Sequence, residues 1–200
     1  MSWTQLFELG DLTLTLPLAS AMAAGLLGAR DWRAAGAWTV LFVFALALVG
    51  AAKLAFLGWG TGLPALDFKA PSGHSAGVSV VFPTLFYLLL RAARARLRRA
   101  GLALGVVLGA VVAGLLVLAG EHSPAEAWAG WLIGCGASLA AVRLAGPRPA
   151  PRPLAGLACA LLAFAGVAWA MQRAQVGYWM VKVALALSGN ARPFPWDSCS

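Results

Sequence analysis

Six apolar runs separated by polar or basic loops constrain this chain more than any other feature of its sequence. A helical membrane span needs about 20 apolar residues, within a range of roughly 17–25. The candidates are Leu12–Ala29, Ala34–Phe56, Ser75–Leu90, Leu102–Ala119, Ala125–Leu144 and Leu154–Met171. Run length and richness in alanine and leucine favour helices over strands. The third run is short and contains Pro83, so a kink is expected there, with arginines at its end snorkelling to the interface. The expected fold class is therefore all-α, a polytopic membrane helix bundle of about six transmembrane helices. Charged residues make up 11% of the chain, against about 25% in a soluble domain, so most of the surface must face something other than water. Residues 1–173 read as the transmembrane domain. Residues 174–200 read as an outer-face interfacial tail, because Tyr178–Leu187 and the tryptophan-bearing Asn190–Trp196 favour the membrane boundary.

The net charge of +8 does not imply a nucleic-acid partner, because the basic residues are sorted by loop. Arg30 and Arg33 lie in the first loop. Arg91, Arg94, Arg96, Arg98 and Arg99 lie in the third, and Arg143, Arg148 and Arg152 in or beside the fifth. Alternate basic loops mark the cytoplasmic side, which places both termini outside; anionic-lipid binding can accompany such a run. Glu8, Asp11, Asp67, Glu121, Glu126 and Asp197 fall on the opposite side, and Asp31 alone falls among the arginines. The first basic residue is Arg30, so the N-terminus does not read as a cleaved signal. Cys135, Cys159 and Cys199 are scattered, without zinc-ligand spacing or a disulfide framework. Small residues at Gly101, Gly105, Gly109 and Ala113, and at Gly130, Gly134 and Ser138, form stripes that let helices approach closely.

The chain has two histidines, and both fall in outer loops beside the start of a span. His74 ends Pro71-Ser72-Gly73-His74, which leads directly into the third run. The free N–H groups and positive dipole end of such a helix attract an anion, and Gly73 lets it approach the backbone. Lys53 and Lys69 can add positive charge. His122 and Glu126 are four residues apart and share a helix face if one helix covers both. A carboxylate there can hold one imidazole nitrogen and leave the other free to attack. Ser123-Pro124-Ala125-Glu126 also matches a helix capping box, so capping is the competing role for Glu126.

These motifs resemble the type 2 phosphatidic-acid phosphatase superfamily, the membrane relatives of vanadium haloperoxidases. Pro71–His74 matches the family's second motif. His122 and Glu126 keep the spacing of the third, with Glu for Asp, and Lys53 represents the first. The arginines of the first and third motifs would fall at Gly60-Thr61 and Leu115-Leu116, so both are absent. Lys69, Arg173 or Arg192 are the candidates to replace their charge.

The resemblance implies a membrane phosphatase that hydrolyses a lipid phosphomonoester or pyrophosphate at the outer face. It implies a bacterial inner membrane with the site on the periplasmic side. His122 would be the nucleophile that becomes a phosphohistidine, Glu126 its orienter, and His74 the acid for the leaving oxygen. Lys53, Ser72, Gly73 and Lys69 would bind the phosphoryl group. No metal or cofactor is called for. The partners implied are a lipid-phosphate substrate and membrane lipids; no pattern fixes an oligomeric state. Two alternatives remain: a catalytically inactive relative that binds a headgroup or a partner protein, and a small membrane transporter, for which paired interrupted helices in two halves would be the sign.

Overall fold

The computed structural model describes residues 7–147 and 151–195. Arg148, Trp196, Asp197 and Cys199 lie outside the described residues. The described chain is helical, with helices α1 (Leu12–Gly28), α2 (Trp32–Trp59), α3 (Gly73–Leu89), α4 (Ala95–Leu118), α5 (Pro124–Ala145), α6 (Pro153–Met171) and α7 (Val176–Ser188). Short 3-10 turns precede α1 at Glu8–Gly10 and interrupt the α2–α3 loop at Pro64–Leu66.

The expectation of about six spans is corrected by the helix lengths. Four helices are long and apolar enough to cross a membrane: α2, α4, α5 and α6. The first and third runs form helices of 17 residues each. At 1.5 Å per residue such a helix rises about 26 Å, short of 19-residue α6, the shortest of the four, and further short of the roughly 30 Å hydrocarbon core. Residue runs overcount spans because they register apolarity and not where a helix is capped. Asp11 caps α1 and Ser72 caps α3. Each of these helices ends within a turn of the last apolar residue.

Burial gives the second reason. α3 is wedged between the two small-residue stripes, as their packing role required. A Cβ on Gly105 of α4 would lie 2.4 Å from the Pro83 backbone, and one on Gly109 would lie 2.4 Å from Ser79 Oγ. From the other side, a Cβ on Gly130 of α5 would lie 2.4 Å from Ser72 O, and one on Gly134 would lie 2.5 Å from Ala76 O. Thr84 and Ser138 add a hydroxyl–hydroxyl hydrogen bond of 2.8 Å across the same seam. The helix continues through Pro83, which is buried against α4. Polar Ser75, Ser79 and Thr84 are likewise buried, which a helix packed on protein tolerates better than one bathed in lipid. We expect Gly134→Val to destabilise the fold by about 3 kcal/mol, because the atoms it meets, Ala76 O, Ser79 Cβ and Val80 N, are backbone or fixed directly to it and cannot yield. Gly136, which has open space around it, should accept alanine with no loss in the same thermal-denaturation series.

The remaining core lies where α1, α2, α3 and α5 meet, around Met22, Leu26, Trp38, Phe42, Val81 and Ala141. Trp38 Nε1 donates to Ala19 O at 2.9 Å, satisfying its one polar atom. Val40, Val43 and Phe44 of α2, Leu104 and Val107 of α4, and Leu161 and Leu162 of α6 are exposed. Apolar side chains turned outward on long apolar helices are what a lipid-facing surface requires. α7 packs along α2, and the segment after it folds back on the end of α2: Phe194 N–H donates to Leu57 O at 2.9 Å and Asn190 Nδ2 to Gly58 O at 2.7 Å.

The two ends of the bundle differ in charge. At one end Arg30, Asp31, Arg33, Arg91 and Arg143 surround a cavity of about 340 Å³. At the other lie Asp11, Lys53 and His74, on a cavity of about 590 Å³.

Candidate functional site

The site is assembled by docking the start of α3 onto the start of α5. Ser72 N–H donates to Glu126 O at 2.9 Å, and Ser75 Oγ donates to Ala127 O at 2.8 Å. Ser123 caps α5 by accepting from Glu126 N–H, and the Glu126 carboxylate accepts from Ser123 N–H at 3.3 Å. The capping box is therefore formed. The same carboxylate does two further things. Oε2 lies 2.9 Å from His122 Nδ1, and Oε1 accepts from Lys69 N–H at 2.9 Å. One buried side chain thus caps a helix, holds an imidazole by one nitrogen and ties down the loop that leads to His74. Capping and orienting, which compete when the sequence is read alone, are compatible because a carboxylate has two oxygens with two acceptor positions each.

The N–H groups of Gly73 and His74 have no protein acceptor among the described residues, as expected for the first turn of a helix. Lys53 comes to this turn from α2: a Cβ on Gly73 would lie 3.4 Å from its Nζ. A Cβ at position 73 would therefore be in van der Waals contact with that ammonium. Lys53, Gly73 and His74 line the 590 Å³ cavity together with Asp11. Apart from Thr13 and Thr15 its other walls are apolar, with Phe42, Leu46, Val49, Val80, Met171 and Met180 among them. The cavity therefore has a polar end and a long greasy side.

His122, Glu126, Ser72 and Lys69 do not line this cavity; hydrogen bonds tie all but the Lys69 side chain to its polar end. Ser72 is fully buried and its Oγ accepts from Ser75 N–H at 3.3 Å. The Lys69 ammonium lies 3.6 Å from the Asp67 carboxylate. Of the other cations expected to replace the missing arginines, Arg173 stacks over Trp169 at 5.0 Å and lines a neighbouring groove with Gln175 and Trp179, and Arg192 is exposed. Among the described residues Lys53 is the single Lys or Arg on the cavity wall.

Electrostatics couple the parts. Burial pushes the His74 imidazole below its ordinary value, and Asp11 pulls it back up. Lys53 and His122 push it down further, while Glu121 opposes them. Asp11 itself is raised by burial, but hydrogen bonds from Thr13 and the charge of His74 hold its carboxyl below the usual range. Asp11 is the neighbour that sequence reasoning passed over. Its place before an apolar run marks a helix cap, but nothing in the sequence links it to a residue 63 positions later. No group of three or more His, Cys, Asp or Glu that could hold a metal occurs among the described residues.

Comparison with known proteins adds a family. A family model described as the PAP2 superfamily matches residues 55–149. The chain is also similar to an uncharacterized 22.5 kDa protein in the cps region of Klebsiella pneumoniae. The two are 35% identical over 167 residues, which cover 81% of this chain and 80% of that protein. No solved structure matches.

Proposed function

The chain belongs to the PAP2 superfamily, and from that premise we propose that it removes phosphate from a lipid phosphomonoester or pyrophosphate headgroup. The observation that carries this reading is the two-sided cavity. A phosphoryl group suits the end where Lys53 and the free N–H groups of Gly73 and His74 converge, and an acyl or prenyl chain suits the apolar walls. His122, which approaches this polar end from behind the cavity wall, held by Glu126 whose backbone carbonyl accepts from Ser72 N–H, is the nucleophile. Its Nδ1 is engaged by Glu126 at 2.9 Å, which leaves Nε2 free to attack phosphorus while the P–O bond to the leaving group breaks. His74 gives its proton to that leaving oxygen. Water then attacks the phosphohistidine, returning a proton to His74 and releasing inorganic phosphate. Lys69 and Ser72 support the site through the loop and helix start they hold.

The basic end of the bundle faces the cytoplasm on this reading, since arginines are retained on that side. The cavity then opens to the outer, periplasmic face of a bacterial inner membrane. On the same reading residues 174–195, packed beside the end of α2, form an interfacial segment, which the exposed Tyr178 and Trp179 support.

One observation favours a second reading, headgroup binding without turnover: among the described residues the cavity presents a single Lys or Arg, where a transferring phosphoryl group calls for more neutralisation. Phosphate release from a panel of lipid phosphates by the purified protein, run beside binding of the same lipids, separates the two. Release that falls about a hundredfold in Lys53→Met supports the enzyme. Binding without release in the wild type supports the second reading.

A further inference from the structure

The segment that precedes α1 lies outside residues 55–149 matched by the family model, yet it reaches the start of α3. Its approach depends on glycine: a Cβ on Gly10 would lie 2.5 Å from His74 O, and one on Gly77 would lie 3.0 Å from Gly10 O. Two missing side chains let the turn at Glu8–Gly10 sit directly on the first turns of α3. Asp11 follows that turn, and its carboxylate divides its work. Oδ1 accepts from Thr13 N–H at 2.7 Å and from Thr13 Oγ1 at 2.6 Å, which fixes the carboxylate as the cap of α1. Oδ2 stands 3.7 Å from His74 Nε2.

We propose that Asp11 is a positioning residue for His74: it holds the imidazole in place and keeps its proton available until the leaving oxygen takes it. The proposal rests on the phosphatase reading, in which His74 is the acid. The separation is too long for a hydrogen bond, so Asp11 acts through charge. Other charges facing His74 come from every side: Lys53 from α2 and His122 from the loop before α5 disfavour the imidazolium, and Glu121 of that loop favours it. Glu8 lines the outer opening beside Asp11 and His74. Of these charges Asp11 acts most strongly on His74. Against the Lys53 ammonium and partial burial, a neutral residue at 11 would leave the acid deprotonated at lower pH.

The chain's two histidines make the test direct, because one substitution assigns both imidazole signals in a histidine-labelled NMR titration. Asp11→Asn and Asp11→Ser both keep an N-cap acceptor for α1 and remove the charge. In each, the His74 midpoint should fall by about one pH unit, the lower end of the effect of a nearby opposite charge, with a smaller change at His122. The high-pH decline in alkyl phosphate hydrolysis should move down by the same shift, since His74 must be protonated to act, and kcat should change more than KM. An unmoved His74 midpoint in both variants overturns the proposal. So does loss of thermal stability with the midpoint unmoved, which would assign Asp11 to the helix cap alone. Absence of phosphate release in the wild type would defeat the phosphatase reading, and the NMR midpoint would still decide whether Asp11 and His74 are paired.

Discussion

His122→Ala is expected to lower phosphate release from a lipid phosphate by about a thousandfold or more, the scale on which loss of a covalent nucleophile acts. The fold should be intact, because the His122 side chain adds one hydrogen bond, to Glu126, and the carboxylate keeps its bonds to Lys69 N–H and Ser123 N–H. Circular dichroism and thermal unfolding should therefore match the wild type while turnover is lost. His74→Ala should behave differently. Its cost should be about a hundredfold or more for an alkyl phosphate, whose alkoxide needs a proton, and much smaller for an activated aryl phosphate. Equal losses for both substrates in His74→Ala would contradict its assignment as the acid, and near-normal turnover in His122→Ala would contradict the nucleophile.

The largest stability effect is expected at the other end of the bundle, from Arg91→Ala. Arg91 is 5% exposed. Its Nε donates to Gly146 O at 2.9 Å, Nη2 donates to Ala145 O at 2.7 Å, and Nη1 pairs with the Asp31 carboxylate. One guanidinium thus closes the end of α5 and joins it to the α1–α2 turn. Its removal strands a nearly buried carboxylate and two carbonyls, which costs about 3–5 kcal/mol. For a chain of this size that should lower the melting temperature by about 10 °C. Arg96→Ala and Arg99→Ala, on exposed positions of the same basic segment, should change stability by less than about 0.5 kcal/mol. A melting temperature unchanged in Arg91→Ala would contradict the structural role.

Arg91 also shows where the sequence stopped being legible. In the run of five arginines it looks like one of a set of topology anchors, and the solitary acidic Asp31 on that side has no evident purpose. Folding gives each a reason: they are partners 60 residues apart. The all-helical membrane class was legible because apolar content and run length report it directly. The number of spans was not: run length marked the third run as short, but apolarity does not reveal that α3 is packed between two glycine stripes. The superfamily was legible from Pro71–His74 and the His122–Glu126 spacing, since a local motif carries its own geometry. The small-residue stripes were legible as packing surfaces for the same reason. The loop-tying role of Glu126 and the approach of Asp11 to His74 depend on which helices meet, and no local pattern encodes that.

The central claim is that phosphate passes through His122. Rapid-quench trapping with a lipid phosphate under alkaline conditions, which preserve phosphohistidine, followed by peptide mapping, tests it most directly. The account predicts an acid-labile phosphate on the peptide containing His122, formed and lost at rates consistent with turnover and absent from His122→Ala. Turnover with no phosphate on His122, or phosphate on another residue, would contradict it.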